Sequence, residues 1–183
     1  MATTKIVSSE RSRNVTWEDP EVTAAAAAEM SGLEYLSAVR DGRLPCPPVW
    51  SLVDFRLTEV ADDRVVFEMN PAEWQYNRFS MVQGGIACTV LDAAMACALQ
   101  TGLPRGIHFT TLGMNVNYMR PISSTAGLMR CEGRAIQRGN RIVIVEAKML
   151  DDGGVLYAYA VSTCMLLKPA GAEPPHHLPP EGR

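Results

Sequence analysis

The chain has 183 residues, of which 47% are hydrophobic and 20% charged, and its net charge is −3. This composition suits one globular domain with tails, and the absence of a basic stripe or of aromatic residues interleaved with basic ones argues against nucleic acid as the main partner. Cys46, Cys88, Cys97, Cys131 and Cys164 are odd in number and widely spaced, without a CxxC or Cys/His cluster. That pattern argues against a metal site or a disulfide framework and fits a reducing compartment.

In chain order, residues 1–20 are polar and unpatterned and predict a mobile arm. Lys5, Glu10, Arg11 and Arg13 interrupt any signal-peptide core, so the expected location is cytoplasmic. Residues 21–46 predict a helical extension: Ala24 to Ala28, then Met30, Leu33, Leu36 and Val39 at three-residue steps, stopped by Asp41-Gly42. Pro45 to Pro48 reads as a stiff connection. A strand is expected at about 49–58, a turn at Asp62-Asp63, and a returning strand at Val65 to Met69. Asn70 to Val82 reads as a long loop. A helix is expected from about Gly84 to Gln100, ended by Gly102 and Pro104. Four strands follow, over Thr110–Met119, Gly127–Gln137, Arg141–Leu150 and Val155–Leu167, with tight turns between the last three. In the first of them Leu112, Met114, Val116 and Tyr118 are expected on one face, opposite Thr111, Gly113, Asn115 and Asn117. From Lys168 the chain is rich in Pro, Gly and His, and residues 169–183 predict a disordered tail.

The run from Ile86 to Leu99 is apolar except for Asp92 and Thr89. A helix apolar on every side is buried, and a carboxylate inside one costs several kcal/mol unless it is paired, hydrogen-bonded or protonated. The run is short for a bilayer span and is broken by Asp92, so no membrane partner is expected. Consecutive strands with tight turns predict an antiparallel sheet, and one apolar helix must cover its concave face. The expected class is α+β.

Gln83-Gly84-Gly85 opens this helix, Asn77 lies six residues before Gln83, and Asp92 lies nine residues after it. Thr110 to Pro121 follows the helix as Thr-Thr-Leu-Gly-Met-Asn-Val-Asn-Tyr-Met-Arg-Pro. Over residues 47–168 this order resembles the hotdog-fold thioesterases, most closely the PaaI-like branch of the acyl-CoA thioesterases. Its signature is Asn, His-Gly-Gly and a carboxylate at the same spacing; here Gln83 stands where the family has His. Gln also offers a donor and an acceptor, so an orienting role can survive and a titrating one cannot. The resemblance implies a sheet wrapped around one long helix, an acyl-CoA substrate, no cofactor, and two sites at the interface of a homodimer, or of a tetramer of two dimers.

The residues themselves support such chemistry. Gly84 and Gly85 sit at a helix N-terminus, where unpaired N–H groups favour negative charge; their other reading is tight packing of the helix on the sheet. Asp92 is the candidate base or nucleophile, against a structural carboxylate bonded to strand groups. Gly84 and Asp92 are roughly 12 Å apart along a helix, too far for one thioester carbonyl to touch both, so each site should draw them from different subunits. Asn77 is a candidate ligand for the carbonyl or the water, or else a turn cap. By resemblance a hydroxyl of Thr110 or Thr111, with Thr111 favoured, holds the water; both residues also suit a strand for its own sake. Asn115 and Asn117 are candidates for lining the pantetheine or the interface. Arg120, Arg138 and Arg141 stand where a nucleotide phosphate can rest, or are simply solvated. Two other functions are open: a non-catalytic acyl-CoA-binding or sensing module, and a hotdog hydratase or dehydratase. The latter's His, in one branch five residues after the carboxylate, is Cys97 here.

Overall fold

The computed structural model describes residues 9–167. Helices α1 (Pro20–Glu29), α2 (Gly32–Arg40) and α3 (Pro48–Val53) come first, followed by strands β1 (Phe55–Ala61) and β2 (Arg64–Met69). A single turn at Glu73–Gln75 leads to the long helix α4 (Gly84–Thr101). Strands β3 (His108–Tyr118), β4 (Met129–Arg138), β5 (Ile142–Asp151) and β6 (Leu156–Leu167) complete the fold. All six strands form one antiparallel sheet in the order β1-β2-β4-β5-β6-β3. It wraps α4, which is the α+β hotdog arrangement expected above.

Alternation of the strands puts Val65, Phe67 and Met69 of β2, Met129 and Cys131 of β4, Val143, Val145, Ala147 and Met149 of β5, and Ala158, Ala160 and Cys164 of β6 in the core. Leu91, Met95 and Leu99 of α4 meet them, fully buried. Each buried Val, Leu, Phe or Met side chain among them contributes about 1.5–3 kcal/mol. Gly133 of β4 allows the contact: a Cβ there would stand 2.1 Å from the Ala94 carbonyl oxygen, so the helix backbone rests directly on the strand. By length and hydropathy α4 could cross a membrane, contrary to the sequence expectation, but half of that stretch is buried inside this sheet.

The N-terminal region departs from expectation in three places. The helix expected through residue 40 breaks at Met30-Ser31, because Ser31 starts a new one: its Oγ accepts from the Glu34 N–H while Glu34 Oε2 accepts from the Ser31 N–H. The strand expected from residue 49 begins only at Phe55. Pro48 sits in the first turn of a helix, where its missing N–H costs nothing, and Trp50 turns inward against Phe67, ring centroids 4.8 Å apart. The expected mobile arm is docked at Arg11 and Arg13. Arg11 pairs with Glu73 at 2.5 Å. Arg13 donates to the Leu52 and Ser51 carbonyls at the end of α3 and stacks over Trp74. The remainder of the arm, residues 1–8, and the tail, 169–183, lie outside the described residues.

Strand β3 is an edge strand. A bulge between Thr111 and Gly113 breaks the expected alternation: Met114 and Val116 turn inward, while Leu112 is 55% and Tyr118 53% exposed.

Candidate active site

The chain approaches α4 through a hydrogen-bonded loop. Asn77 closes it: its N–H donates to the Met81 carbonyl at 2.7 Å, its carbonyl accepts from Ser80, and its side-chain Oδ1 accepts from the Phe79 N–H at 2.8 Å. Buried Gln75 anchors the same loop, donating from Nε2 to the Val53 carbonyl and accepting the Gln83 N–H on its own carbonyl. Gln83 is thereby held as the residue preceding the first helical turn. Its exposed side chain does not cap the helix, and the N–H groups of Gly84 and Gly85 have no acceptor among the described residues. This helix start therefore presents unpaired donors with the positive end of the dipole behind them.

A cleft of about 280 Å³ opens there, lined by Asn77, Gly84, Tyr118 and Arg120 among others. Tyr118, which sequence reasoning treated only as a strand residue, donates its hydroxyl to the Gly84 carbonyl at 2.9 Å. A Cβ on residue 84 would lie 3.3 Å from the Tyr118 ring. The hydrogen bond polarises the peptide unit whose N–H belongs to Gly85.

Asp92 faces a different cleft, of about 240 Å³, between α4 and the N-terminal helices. Tyr35, Trp50, Thr89, Ala96, Cys97 and Gln100 are among its lining residues. The Asp92 carboxylate is half-buried, and burial, with no hydrogen bond among the described residues to offset it, pushes its pKa up. Burial also lifts the Cys97 thiol to about 12 and, with the Asp92 charge, raises Cys88. Both shifts disfavour the thiolate, the form a nucleophilic cysteine needs. Thr89 donates its hydroxyl to the Gly85 carbonyl at 2.9 Å.

The expected site residues thus separate into groups. Asn77, Gly84 and Arg120 share one cleft, and Asp92 lines the other. Arg120 also donates to the Leu156 carbonyl at 2.6 Å. Thr110, Thr111, Asn115 and Asn117 lie exposed along β3. There Asn117 donates to Asn115 at 2.9 Å, and the Thr111 hydroxyl stands 3.9 Å from Cys164 Sγ. Arg141 is exposed at the β4–β5 hairpin. Arg138 requires a correction. Its side chain is only 6% exposed, paired with Asp63 and donating to the Leu99 carbonyl at the end of α4 at 2.9 Å. It locks the helix end to the β1–β2 turn and presents no free guanidinium face to a phosphate.

Residues 79–158 match the family model of the thioesterase superfamily. In fold the chain is similar to a phenylacetic acid degradation-related protein of Ralstonia eutropha, with a TM-score of 0.65 and 28% identity over 72% of this chain and 98% of the other. It is also similar to the PaaI protein of E. coli from the phenylacetic acid degradation operon, with a TM-score of 0.65 and 12% identity, covering 76% of this chain and 96% of that one. In sequence it is 22% identical over 120 residues to a protein of Saccharolobus solfataricus named as a candidate esterase, covering 66% of this chain and 84% of the relative. The resemblance to hotdog-fold, PaaI-like thioesterases holds on these comparisons.

Proposed function

Starting from a thioesterase-superfamily match over residues 79–158 on a hotdog fold, we propose that the protein hydrolyses a medium-chain or aromatic acyl-CoA to free acid and CoA. The site is shared between two copies of the chain. The observation that carries this reading is the separation of the two halves of the chemistry: uncapped N–H donors beside Asn77 in one cleft, and a carboxylate with a raised pKa in another. A second copy pairing along β3 can bring the carboxylate of one chain to the donors of the other. That strand offers unpaired backbone groups and exposed Leu112 for such pairing.

In the proposed reaction the thioester carbonyl oxygen rests on the Gly84 and Gly85 N–H groups of one chain, aided by Asn77. Asp92 of the partner takes a proton from water as its oxygen forms the bond to the carbonyl carbon, and Thr111 or Thr110 orients that water. The oxyanion collapses, the carbon–sulfur bond breaks, and the proton passes to the departing thiolate. A raised pKa suits a base working near neutral pH, and a single oxyanion donor is worth ~3 kcal/mol. Gln83 orients neighbouring groups without titrating. Arg120, at the mouth of the donor cleft, and exposed Arg141, with Asn115 and Asn117 along β3, receive the CoA portion. A cytoplasmic location is part of the proposal, supported by five free cysteines.

The test is release of free thiol from a panel of acyl-CoAs by the wild type, Asp92→Ala and Asp92→Asn. Turnover by the wild type that both variants lose by at least about a hundredfold supports hydrolysis. Tight acyl-CoA binding without thiol release overturns it and leaves the binding-module reading, which the departure at Gln83 favours.

A further inference from the structure

Tyr118 ends β3, and the chain around it is tied down on both sides. The next two residues are tied to β6: the Met119 and Arg120 N–H groups donate to the Tyr157 carbonyl at 2.8 and 3.2 Å. The segment beyond them is tied to the loop before α4. There the Val82 N–H donates to the Ile122 carbonyl at 2.8 Å, and the Ser124 N–H donates to the Tyr76 hydroxyl at 2.7 Å. These ties lay the Tyr118 ring over Gly84, where an added Cβ would meet Cζ at 3.3 Å and Oη at 3.4 Å. Packing alone would be served by phenylalanine. The hydroxyl is used: it donates to the Gly84 carbonyl at 2.9 Å. As the first residue of α4, Gly84 already offers that carbonyl to the N–H four residues on, so the phenol is a second donor to the same oxygen.

Building on the thioesterase reading, we propose that Tyr118 is a positioning residue for the reaction. Its hydroxyl polarises the Gly84–Gly85 peptide, so that the Gly85 N–H binds the developing oxyanion more strongly, and its ring shields that peptide from water.

The peptide unit is conjugated from oxygen to nitrogen. A donor at the Gly84 oxygen draws electron density off the nitrogen and leaves the Gly85 N–H more positive. That N–H has no acceptor among the described residues and belongs to the donor cleft, which Tyr118 also lines. The gain grows with the charge on the acceptor, so it is larger for the oxyanion than for the ground-state carbonyl and acts on kcat more than on KM. Strengthening one oxyanion donor by roughly 10–30% changes the rate about two- to fivefold. Burial, with the Cys88 thiol beside it, raises the Tyr118 pKa and favours the protonated phenol, the form that donates.

The experiment compares the wild type with Tyr118→Phe, which keeps the ring, and with Tyr118→3-fluorotyrosine, a stronger donor of nearly the same shape. Two quantities are read. One is the kcat and KM for thiol release from the best substrate of the acyl-CoA panel. The other is the infrared stretch of a 13C-labelled carbonyl in bound phenylacetyl-CoA ketone, in which CH2 replaces the thioester sulfur and blocks hydrolysis. Tyr118→Phe is expected to lower kcat about two- to fivefold, to leave KM within about twofold, and to raise the carbonyl frequency as its hydrogen bond weakens. The fluorinated variant should move kcat and the frequency the opposite way. A loss confined to KM, an unchanged frequency in both variants, or a fluorinated variant that follows Tyr118→Phe overturns the assignment and leaves Tyr118 as packing on α4. Opposite frequency shifts in the two variants without thiol release from any of the three proteins uphold the polarised donor while refuting hydrolysis; hydrolysis with unchanged frequencies does the reverse.

Discussion

A shared site makes a quantitative prediction about mixed dimers. Within one helix Gly84 and Asp92 are eight residues apart, roughly 12 Å along the axis, and they open into separate clefts. A carbonyl in reaction lies about 3 Å from its hydrogen-bond donor and from the attacking water, which lies about 3 Å from its base, so two points so far apart, in separate clefts, cannot both serve one carbonyl. Gly84→Pro removes one of the two unpaired N–H groups at a first-turn position that tolerates proline, although the ring crowds Tyr118, which sits 3.3 Å from a Cβ there. Asp92→Ala removes the base. In a two-fold dimer of one Gly84→Pro chain and one Asp92→Ala chain, one site has an intact Gly84 and an intact Asp92. The other has neither. Co-expression with two affinity tags isolates that hybrid, and its thiol release per dimer should be about half the wild-type rate, while each parent homodimer has no intact site and stays near background. Circular dichroism and thermal midpoints of the parents show whether the proline is tolerated; Asn77→Ala can replace Gly84→Pro if it is not. A folded hybrid as inactive as its parents refutes the two-chain site.

Three further outcomes follow from the structure. The Asp92 pKa is raised by burial, so the native state binds its proton more tightly than the unfolded chain, whose aspartate titrates near ~3.9. Stability therefore falls as pH rises from the unfolded value through the higher native one. Asp92→Asn should melt above the wild type at pH 8, and the gap should close on acidification in paired thermal scans; an unchanged gap would show that burial does not govern this carboxylate. Wild-type activity should fall on the acid side of the same raised pKa. Arg138→Ala strands Asp63 and uncaps the end of α4, which should cost about 3 kcal/mol in urea unfolding. The affinity for CoA, measured by calorimetry, should not change; a large loss would reinstate Arg138 as a phosphate ligand.

Much of the fold was legible because its signals are local. Period-two alternation with Gly, Asp and Asn turns marks β4 to β6, and an apolar run between Gly84 and Gly102 marks α4. The misreadings have equally physical causes. The alanine run at 24–28 carries no apolar face, so periodicity could not show that α1 stops at Glu29; the Ser31-x-x-Glu34 capping box was the available sign. Val49 to Val53 reads as a strand by propensity, and only Pro48 in a first turn and the Trp50–Phe67 contact turn it into α3. Arg138 looked like an exposed hairpin arginine because nothing near it in sequence reveals Asp63. Gln75 and Tyr118 left no motif at all, since each acts through a partner distant in the chain.

The sequence by itself determined the kinds of element and the residues bearing the chemistry. A carboxylate in an apolar helix, a glycine pair at that helix's start and an asparagine at fixed spacing all depend on near neighbours. Tertiary structure decided which cleft each of these faces, which strand is left as an edge, and which wall the N-terminal helices build opposite Asp92. Those features depend on strand order and helix docking, contacts between residues tens of positions apart, which no local pattern encodes.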